Sequence, residues 1–518
     1  MEITYLGHAG FCVETEKTII IMDPWLSPTG AFEGSWFQFP QNHHLAAYVQ
    51  EKLNNTNKDR YIYVSHEHKD HFDLKFLNSI ENRDFTLIIA KFRRAELRRI
   101  FKDYNCKKVI SCANEEEVLI KDGSIKVYLI DTEVNRDSSI LVKTNTSSFL
   151  NLNDCKIMDR LPEIIKNEGK VDVFTTQFSG AIWHPTCYEY SKEQYGKISK
   201  KKVRSKFEAV ARSIETVKPR LWLPSAGPPC FLDPTLFQLN FEPINIFPRA
   251  PEVIGFLKKR LKTMTLETPN IMPGDILDVK SGNFIHLSKE RVDEANVESY
   301  IKEYAAKFES FFEARKKTYS TIDPQVIWSK LQKELEEKLK HLHLHKRITV
   351  PLYFCLNDQP DKVLRVNFPE KKLEFVKDIQ DKQYYSIRIN SWDIARIFDS
   401  KLTWEDFMLS FRMKLNREPD IFQALMHGFL INEAEDINPF CEKVLANEFN
   451  KERIVVEANG TRYAINRYCP HDGGDLSQGW IAGKQIICPR HRWVFDLNNS
   501  GKCTTNDCSI HAFPLEDD

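Results

Sequence analysis

The sequence predicts a chain of three parts: a layered α/β domain, a middle α+β module and a small all-β domain at the C-terminal end. In the first part, short apolar runs alternate with helical stretches. The second part opens with two charged amphipathic segments, SYIKEYAAKFESFFEARKK and SKLQKELEEKLKH, and continues with four strand-like runs. The third part has short apolar runs around turns that carry Gly, Cys and His. We therefore place the domains at 1–245, 246–437 and 438–518.

The first part contains seven short apolar runs that we expect to be β-strands. Each is four to six residues long and is bounded by polar residues, Gly or Pro, as strands of a layered sheet usually are. Residues 246–300, in contrast, are spaced by prolines and show no clear period. The predicted strands are Ile19–Met22, Tyr61–Val64, Thr86–Ala90, Ile125–Ile130, Phe149–Leu152, Val171–Thr175 and Leu221–Pro224.

An H-x-H-x-D-H motif follows the strand at 61–64. Four candidate ligands within six residues, on a loop after a strand, predict a metal site, because imidazole and carboxylate groups are common metal ligands. A purely structural role for this group is the alternative. Two further residues, His8 and Asp23, stand at predicted strand ends near this loop, and for each a structural role fits as well as a functional one. The ligands of the motif are His66, His68, Asp70 and His71.

A second set of candidate ligands lies near the C-terminal end. A C-x-H pair and a C-x-x-H pair are separated by 16 residues, and Gly473 and Gly474 permit a tight turn between them. This is the spacing of a Rieske 2Fe–2S centre, in which two thiolates hold one iron and two imidazoles hold the other. A zinc ribbon is the alternative, although zinc ribbons favour C-x2-C pairs. Because such a cluster relays single electrons, we expect a second redox site. The predicted ligands are Cys469, His471, Cys488 and His491.

The N-terminal segment ITYLGHAGFCVETEKTIIIMDPWL and the H-x-H-x-D-H motif together resemble the metallo-β-lactamase superfamily, whose fold is an αββα sandwich. The resemblance implies that Asp154, in FLNLNDC, is the bridging aspartate of that superfamily. Hydrolytic members have further ligand histidines downstream, but this sequence has none between residues 72 and 183. Glu133 or Asp137 stands where the third histidine is expected. His184, in GAIWHPTCY, is a further candidate catalytic residue, with a plain loop histidine as the alternative.

The ligand set predicted here mixes imidazole and carboxylate groups. Such a set with open positions suits a mononuclear non-haem iron better than a His-rich pair of zinc ions, although zinc remains compatible. The candidates are more numerous than one iron needs. Some are therefore expected to orient other ligands, or the site holds two metals.

A closer resemblance is to the CMP-N-acetylneuraminate hydroxylase family, which joins a Rieske domain to a metallo-β-lactamase-like domain. It rests on ITYLGHAGF, MDPWL, YVSHEHKDH, FLNLNDC, KPRLWLPSAG and WEDFMLSFRMKLNREPDI, which extend from residue 3 to about residue 430. The resemblance implies a nucleotide-linked or amino-sugar substrate and a ferredoxin or b-type cytochrome as reductant. Two features differ. The Rieske domain comes first in that family, and TEVNRDSS replaces the segment of the third histidine.

Three functions remain open from the sequence. An iron-dependent oxygenase that hydroxylates its substrate uses both predicted centres. A metal-dependent hydrolase with Asp70 as the base would use only the first, with zinc lowering the pKa of bound water to about 7. An electron carrier would use only the cluster. Metal content separates these alternatives.

Composition excludes some partners. With 73 basic and 73 acidic residues the formal net charge is +0, so we expect no net positive charge that would attract nucleic acids. No apolar stretch of about 18 residues predicts a membrane span, and the N-terminal residues begin a strand rather than a signal peptide. Twelve scattered cysteines suit a reducing cytoplasm. The middle module bears a weak resemblance to sterol-carrier modules, and we expect it to serve as scaffold or to form a homo-oligomer.

Overall fold

The computed structural model describes residues 1–180, 182–286, 291–399 and 402–515. These residues form two compact units. Unit 1 consists of Met1–Asp131, Asn135–Ala181 and Lys197–Ala306. Unit 2 consists of Thr132–Val134, Ile182–Gly196 and Lys307–Asp518.

The described helices range from single turns to a helix of 26 residues. They are α1 (Leu45–Asn54), α2 (Leu74–Ser79), α3 (Glu96–Ile100), α4 (Leu161–Glu168), α5 (Trp183–Thr186), α6 (Lys192–Val217), α7 (Ala250–Arg260), α8 (Val297–Ala306), α9 (Glu309–Ser320), α10 (Pro324–His341), α11 (Ser391–Phe398), α12 (Trp404–Leu409), α13 (Ala424–Ile431) and α14 (Ile437–Glu448).

Unit 1 contains two β-sheets. The eight-stranded sheet has the order β14-β13-β1-β2-β3-β4-β5-β6, and the six-stranded sheet has the order β12-β11-β10-β9-β8-β7. The strands are β1 (Glu2–Gly7), β2 (Gly10–Glu14), β3 (Thr18–Met22), β4 (Asp59–Val64), β5 (Thr86–Ala90), β6 (Lys108–Cys112), β7 (Glu116–Ile120), β8 (Gly123–Asp131), β9 (Arg136–Thr144), β10 (Ser148–Asn151), β11 (Val173–Gln177), β12 (Leu221–Ser225), β13 (Asp275–Asp278) and β14 (Phe284–His286).

Two hydrophobic cores give unit 1 its layers. One core lies between the sheets and includes Ile20 and Ile62 of the first sheet with Val142 and Leu223 of the second. The other joins the second sheet to α4, α7 and the part of α6 from Phe207 to Val217. Helices α1 and α2 contribute buried residues to the first core. This helix–sheet–sheet–helix order confirms the predicted αββα sandwich.

All seven predicted strands of unit 1 are present. They correspond to β3, β4, β5, β8, β10, β11 and β12, and each begins and ends within two residues of the predicted bounds. Residues 246–300, irregular in sequence, contain α7, β13 and β14 and the beginning of α8. The strands β13 and β14 are three or four residues long, too short for a period to be visible, and they form by pairing with β1 and with each other.

Unit 2 contains a five-stranded sheet and two smaller sheets. The first has the order β17-β16-β15-β18-β19, and the others have the orders β20-β21-β26 and β22-β23-β24-β25. The strands are β15 (Leu352–Leu356), β16 (Val363–Asn367), β17 (Lys372–Val376), β18 (Tyr384–Ile389), β19 (Met413–Glu418), β20 (Arg453–Ala458), β21 (Thr461–Asn466), β22 (Trp480–Ala482), β23 (Gln485–Ile487), β24 (Val494–Asp496), β25 (Lys502–Cys503) and β26 (Phe513–Pro514).

The fold classes predicted for the middle and C-terminal parts, α+β and all-β, are confirmed in unit 2. Four predicted strand runs become β15 to β18, and helices precede and follow them, as an α+β module requires. The first predicted helical segment is divided into α8 and α9. From β20 onward the chain is all-β around its own small core. Among the described residues no helix is both long and apolar enough to cross a membrane.

Candidate metal centres

The predicted metal ligands of unit 1 follow the ends of strands. The loop Ser65–His71 follows β4, His8 follows β1, Asp23 follows β3, and Asp154 comes shortly after β10. Because β3 and β4 are parallel, their C-terminal ends lie at one edge of the sheet. Both His8 and Asp23 have positive φ, 51° and 39°. This conformation is uncommon for residues other than glycine and concentrates at functional sites.

The loop is fixed by Asp73, two residues after it. One Asp73 carboxylate oxygen accepts a hydrogen bond from the backbone N–H of Phe76 and so caps α2. The carboxylate also accepts bonds from the backbone N–H groups of Leu26 and Ser27, at 3.0 and 2.7 Å. A single buried side chain therefore ties the metal loop to the segment after β3.

Five side chains meet in two overlapping groups that could each hold a metal ion. One group is His8, Asp70 and His71, and the other is His66, His71 and Asp154; within each, the ligand atoms lie within 4.8 Å of one another. His8 Nε2 lies 2.9 Å from Asp70 Oδ2. His71 Nε2 lies 3.8 Å from Asp70 Oδ2 and 3.6 Å from Asp154 Oδ1. His71 is common to both groups.

Two carboxylates orient the imidazoles from behind. His71 Nδ1 donates to Asp23 Oδ2 at 2.9 Å, since a carboxylate can only accept. Asp23 is held in turn by the Ser65 hydroxyl, which donates to it at 2.6 Å. His66 Nδ1 lies 2.9 Å from the Ser65 hydroxyl oxygen and 3.2 Å from Asp137 Oδ1. Such carboxylate–histidine pairs fix the tautomer and leave Nε2 as the nitrogen available to a metal.

Electrostatics keep the two acids of the group ionised. Burial alone would raise the pKa of Asp70, but the His71 charge and the hydrogen bond from His8 outweigh it and lower that pKa to about 2. Burial acts in the same direction on Asp154, and His71 again outweighs it and lowers the pKa. Burial alone would lower the pKa of His71, yet Asp154 and Asp70 raise it. The two ionised carboxylates are therefore stabilised by a positive charge placed between them.

The donor atoms fit a metal ion. Among the residues that the structure describes, three buried atoms of the group have no hydrogen-bond partner: Asp70 Oδ1, His71 Nε2 and Asp154 Oδ1. Leaving buried polar atoms unpaired costs about 1–3 kcal/mol each, so such atoms call for a ligand. A mixed imidazole and carboxylate set of this kind suits iron or zinc.

The structure distributes the sequence-predicted residues as follows. His66, Asp70, His71 and Asp154 come together, and His68 Nδ1 lies 2.9 Å from His66 Nε2. Asp137 is beside His66, whereas Glu133 lies in the segment 132–134 of unit 2 and in neither metal-compatible group found among the described residues.

His184, the other predicted catalytic residue, also belongs to unit 2. Its Nε2 lies 3.0 Å from the Tyr190 hydroxyl, which donates to Asp420 at 2.8 Å. Neither contact tests a catalytic role, which stays a prediction.

For His8, another residue of the group, the sequence alone does not distinguish a structural role from a functional one. It lies 58 residues before His66, and only the sheet order, with β2 and β3 between β1 and β4, brings it to the metal loop. Its position directly after a strand, between two small residues, was the available signal.

The second set of predicted ligands lies in two tight turns of unit 2. In the first, Cys469 N–H donates to Gly474 O and Gly473 N–H donates to Cys469 O, both at 2.9 Å. In the second, Cys488 N–H donates to Trp493 O at 2.9 Å and Arg492 N–H to Cys488 O at 3.0 Å. These bonds turn both cysteines into the domain core, where each is fully buried.

The geometry of these turns fits a 2Fe–2S cluster. The rings of His471 and His491 are 4.5 Å apart, so the imidazoles lie side by side. Gly474 must be glycine, because a Cβ there would come within 2.9 Å of Cys488 Sγ. The Trp493 ring stacks on His471 at 4.2 Å and fixes its plane. Two buried thiols beside two paired imidazoles are the donors that such a cluster needs.

A cavity of about 120 Å³ lies in unit 1, and two of its lining residues are close to the backbone of His8. Tyr5, one of its lining residues, donates a hydrogen bond to the His8 carbonyl at 3.2 Å. Gly227, another lining residue, follows Ala226, whose N–H donates to the same carbonyl at 2.9 Å. Arg249 and Phe39 also line the cavity, with the guanidinium 5.5 Å above the ring.

Comparison with known proteins defines the two domain classes. Residues 2–149 match the model of a beta-lactamase superfamily domain. Residues 429–514 match the model of the Rieske [2Fe-2S] domain. The chain thus combines an N-terminal metallo-β-lactamase-like domain with a C-terminal Rieske domain. The Rieske domain implies a 2Fe–2S cluster, and the other domain implies a non-haem iron or zinc site.

Similar proteins combine or contain the same parts. A Mycolicibacterium smegmatis protein, named as a Rieske 2Fe-2S iron-sulfur protein, is 27% identical, with 98% of each chain covered. The cytidine monophosphate-N-acetylneuraminic acid hydroxylase of Xenopus laevis is 22% identical, over 82% of this chain and 70% of that protein. The oxygenase component of 3-ketosteroid-9-alpha-monooxygenase from Rhodococcus rhodochrous is 48% identical over 62 residues, which are 12% of this chain and 16% of that protein. The resemblance to the hydroxylases that the sequence predicts is confirmed, at the low identity of 22%.

Proposed function

We propose that this chain is an O2-dependent hydroxylase supplied with electrons by an external one-electron donor. The net reaction is R–H + O2 + 2 e⁻ + 2 H⁺ → R–OH + H2O, in which one oxygen atom enters the substrate and the other leaves as water. A ferredoxin or a b-type cytochrome is the class of donor that we expect. When bound, the 2Fe–2S cluster relays single electrons and the non-haem metal offers open positions for O2.

The observation that carries this proposal is the donor set of unit 1. Its imidazoles and carboxylates leave three buried polar atoms without hydrogen bonds among the described residues. We assign the metal to His66, His71, Asp70 and Asp154, with His8 as a further ligand. We assign the cluster to the two cysteines and two histidines of the Rieske turns. Asp23 and Asp137 position His71 and His66.

The substrate that we propose is a nucleotide-linked or amino sugar, such as CMP-activated sialic acid, whose N-acetyl group would become N-glycolyl. Similarity to the Xenopus hydroxylase over most of the chain supports this class. The cavity lined by Tyr5 and Arg249 is the proposed substrate pocket. There Arg249 would bind the anionic part, because guanidinium groups bind phosphate and carboxylate in two-point contacts. Arg249→Gln should raise KM about tenfold or more with a smaller change in kcat, while Arg249→Lys should keep part of the affinity.

Metal analysis and turnover test the proposal together. The full chain should hold about three irons, two from the cluster and one from unit 1. With reductase, donor and 18O2, CMP-N-acetylneuraminate should gain one labelled oxygen atom, detected by mass spectrometry. Two irons plus zinc, with hydrolysis independent of O2, would instead identify a hydrolase. Two irons with no turnover of any sugar nucleotide would leave an electron carrier.

A further inference from the structure

Two cysteines, one at the end of β25 and one in the loop that follows it, belong to neither proposed centre. Cys503 and Cys508 are both unoxidised thiols in the structure. The Cys503 N–H donates to the Cys508 carbonyl at 2.9 Å, and the neighbouring residues Lys502 and Ser509 form an antiparallel bridge. The backbone therefore closes this five-residue separation and holds the two side chains at facing positions of one tight loop.

The two sulfurs have different surroundings. Asn506 Nδ2 donates a hydrogen bond to Cys503 Sγ at 3.5 Å, and the Thr505 hydroxyl lies 3.7 Å from the same atom. The hydrogen bond with Cys508 is the main cause that lowers the pKa of Cys503 to about 6, and it raises the pKa of Cys508. Cys503 is 9% exposed, and Cys508 is more accessible. One sulfur favours the thiolate and its neighbour holds the proton, as in reactive dithiols.

We propose that Cys503 and Cys508 form a reversible disulfide, a two-electron thiol switch in the same hydrophobic core as the cluster cysteines. The oxidant is a low-molecular-weight disulfide such as glutathione disulfide. One protein thiolate attacks it, its S–S bond breaks and one glutathione thiol leaves. The second protein thiolate then displaces the other glutathione from the mixed disulfide. In sum, the two protein thiols lose two electrons and two protons, and the oxidant becomes two thiols.

The loop that carries the two thiols contacts the surroundings of a cluster ligand. Phe422 N–H donates to Thr505 O at 3.3 Å, and Phe422 pairs with Asn506 in a short bridge. The Phe422 ring meets Trp493 edge-on at 6.0 Å. Trp493 in turn stacks on His471 at 4.2 Å. Closing the disulfide changes the loop at Thr505 and Asn506, so we infer that it also changes the packing on His471.

Mass mapping of the full chain, with its cluster, tests the switch. The protein is equilibrated without oxygen in glutathione buffers of rising disulfide content, quenched in acid and alkylated with N-ethylmaleimide. Trypsin cleaves after Lys502, so one peptide contains both cysteines. That peptide should become unalkylated and lighter by two hydrogen atoms in oxidising buffer, and dithiothreitol should restore double alkylation. Double alkylation in every buffer would overturn the proposal.

Two variants and a second measurement complete the test. In Cys508→Ser the peptide should carry glutathione or one maleimide, and the matched control Cys106→Ser, at a partly exposed cysteine of unit 1, should behave like the unchanged protein. Visible circular dichroism of the oxidised cluster should change reversibly with the disulfide in the control and stay constant in Cys508→Ser. A disulfide that forms without a spectral change would overturn the coupling to His471.

Discussion

Replacing Asp23 by Asn should weaken metal binding in unit 1, although Asp23 is outside both metal-compatible groups. In the structure its Oδ2 accepts from His71 Nδ1 at 2.9 Å and from the Ser65 hydroxyl at 2.6 Å, while Oδ1 accepts from Ser65 N–H at 2.8 Å. The carboxylate is fully buried and only accepts hydrogen bonds. It therefore holds the His71 proton on Nδ1 and keeps Nε2 available as a ligand.

An asparagine at this position cannot satisfy both partners. If its oxygen accepts from Ser65 N–H, its amide must donate to His71 Nδ1, which moves the imidazole proton to Nε2, the atom that faces Asp70 and Asp154. If the amide is turned the other way, two N–H groups face each other at Ser65. Loss of such an orienting carboxylate costs about 10- to 100-fold in metal affinity, which corresponds to about 1.4–2.8 kcal/mol.

Chelator competition measures this effect. Protein that keeps its cluster but lacks the unit 1 metal is titrated with Fe(II) under nitrogen, or with Zn(II), against a chromophoric chelator. The dissociation constant of Asp23→Asn is compared with that of the unchanged chain. The control is Asp103→Asn, an exposed aspartate of unit 1. The visible spectrum of the cluster should be the same in all three proteins. An affinity of Asp23→Asn within twofold of the control would refute the orienting role.

Three further predictions concern the two centres and the middle module. Cys469→Ser or Cys488→Ser should remove the cluster, so the visible absorption and the paramagnetic signal of the reduced protein should vanish. His66→Ala and Asp154→Ala should remove the non-cluster metal, measured by metal analysis, and stop product formation while the cluster spectrum persists. Burial lowers the pKa of Lys338 to about 7, below its unfolded value, so the folded chain binds fewer protons above that pH and becomes more stable as pH rises. Lys338→Met should remove that slope, which is at most about 1.4 kcal/mol per pH unit between about pH 7 and 10, measured by urea unfolding.

The parts of the fold that were predictable from sequence are those with local causes. An apolar run such as Tyr61–Val64 forms a strand because its own residues favour one and because both of its faces are buried. The order in which the strands pair cannot be predicted from such local causes. In unit 2, β15 pairs in parallel with β18 on one side. On its other side β15 pairs with β16, which in turn pairs with β17. No local pattern specifies this order, because it depends on which faces the helices cover.

The candidate site divides in the same way. The motif at 66–71 was visible because its ligands share one loop. The sequence leaves Glu133 and Asp137 as alternatives for the position of the third histidine, because only three residues separate them. Which of the two side chains lies beside His66 depends on where β9 begins. His8 could be assigned to the group only after the order of β1 to β4 was known.

The two centres should differ in how far the fold depends on them. In unit 1 the imidazoles of His66 and His71 already have carboxylate partners, and the surrounding core is extensive. Removing the metal there should leave the two sheets and their helices folded. The Rieske domain has a small core of its own, and Cys469 and Cys488 are part of it. A small core buries little apolar surface, so it contributes little stability, and ligation of the cluster contributes folding energy directly. Loss of the cluster should therefore unfold this domain locally, whereas loss of the unit 1 metal should abolish the proposed hydroxylation and leave the chain folded.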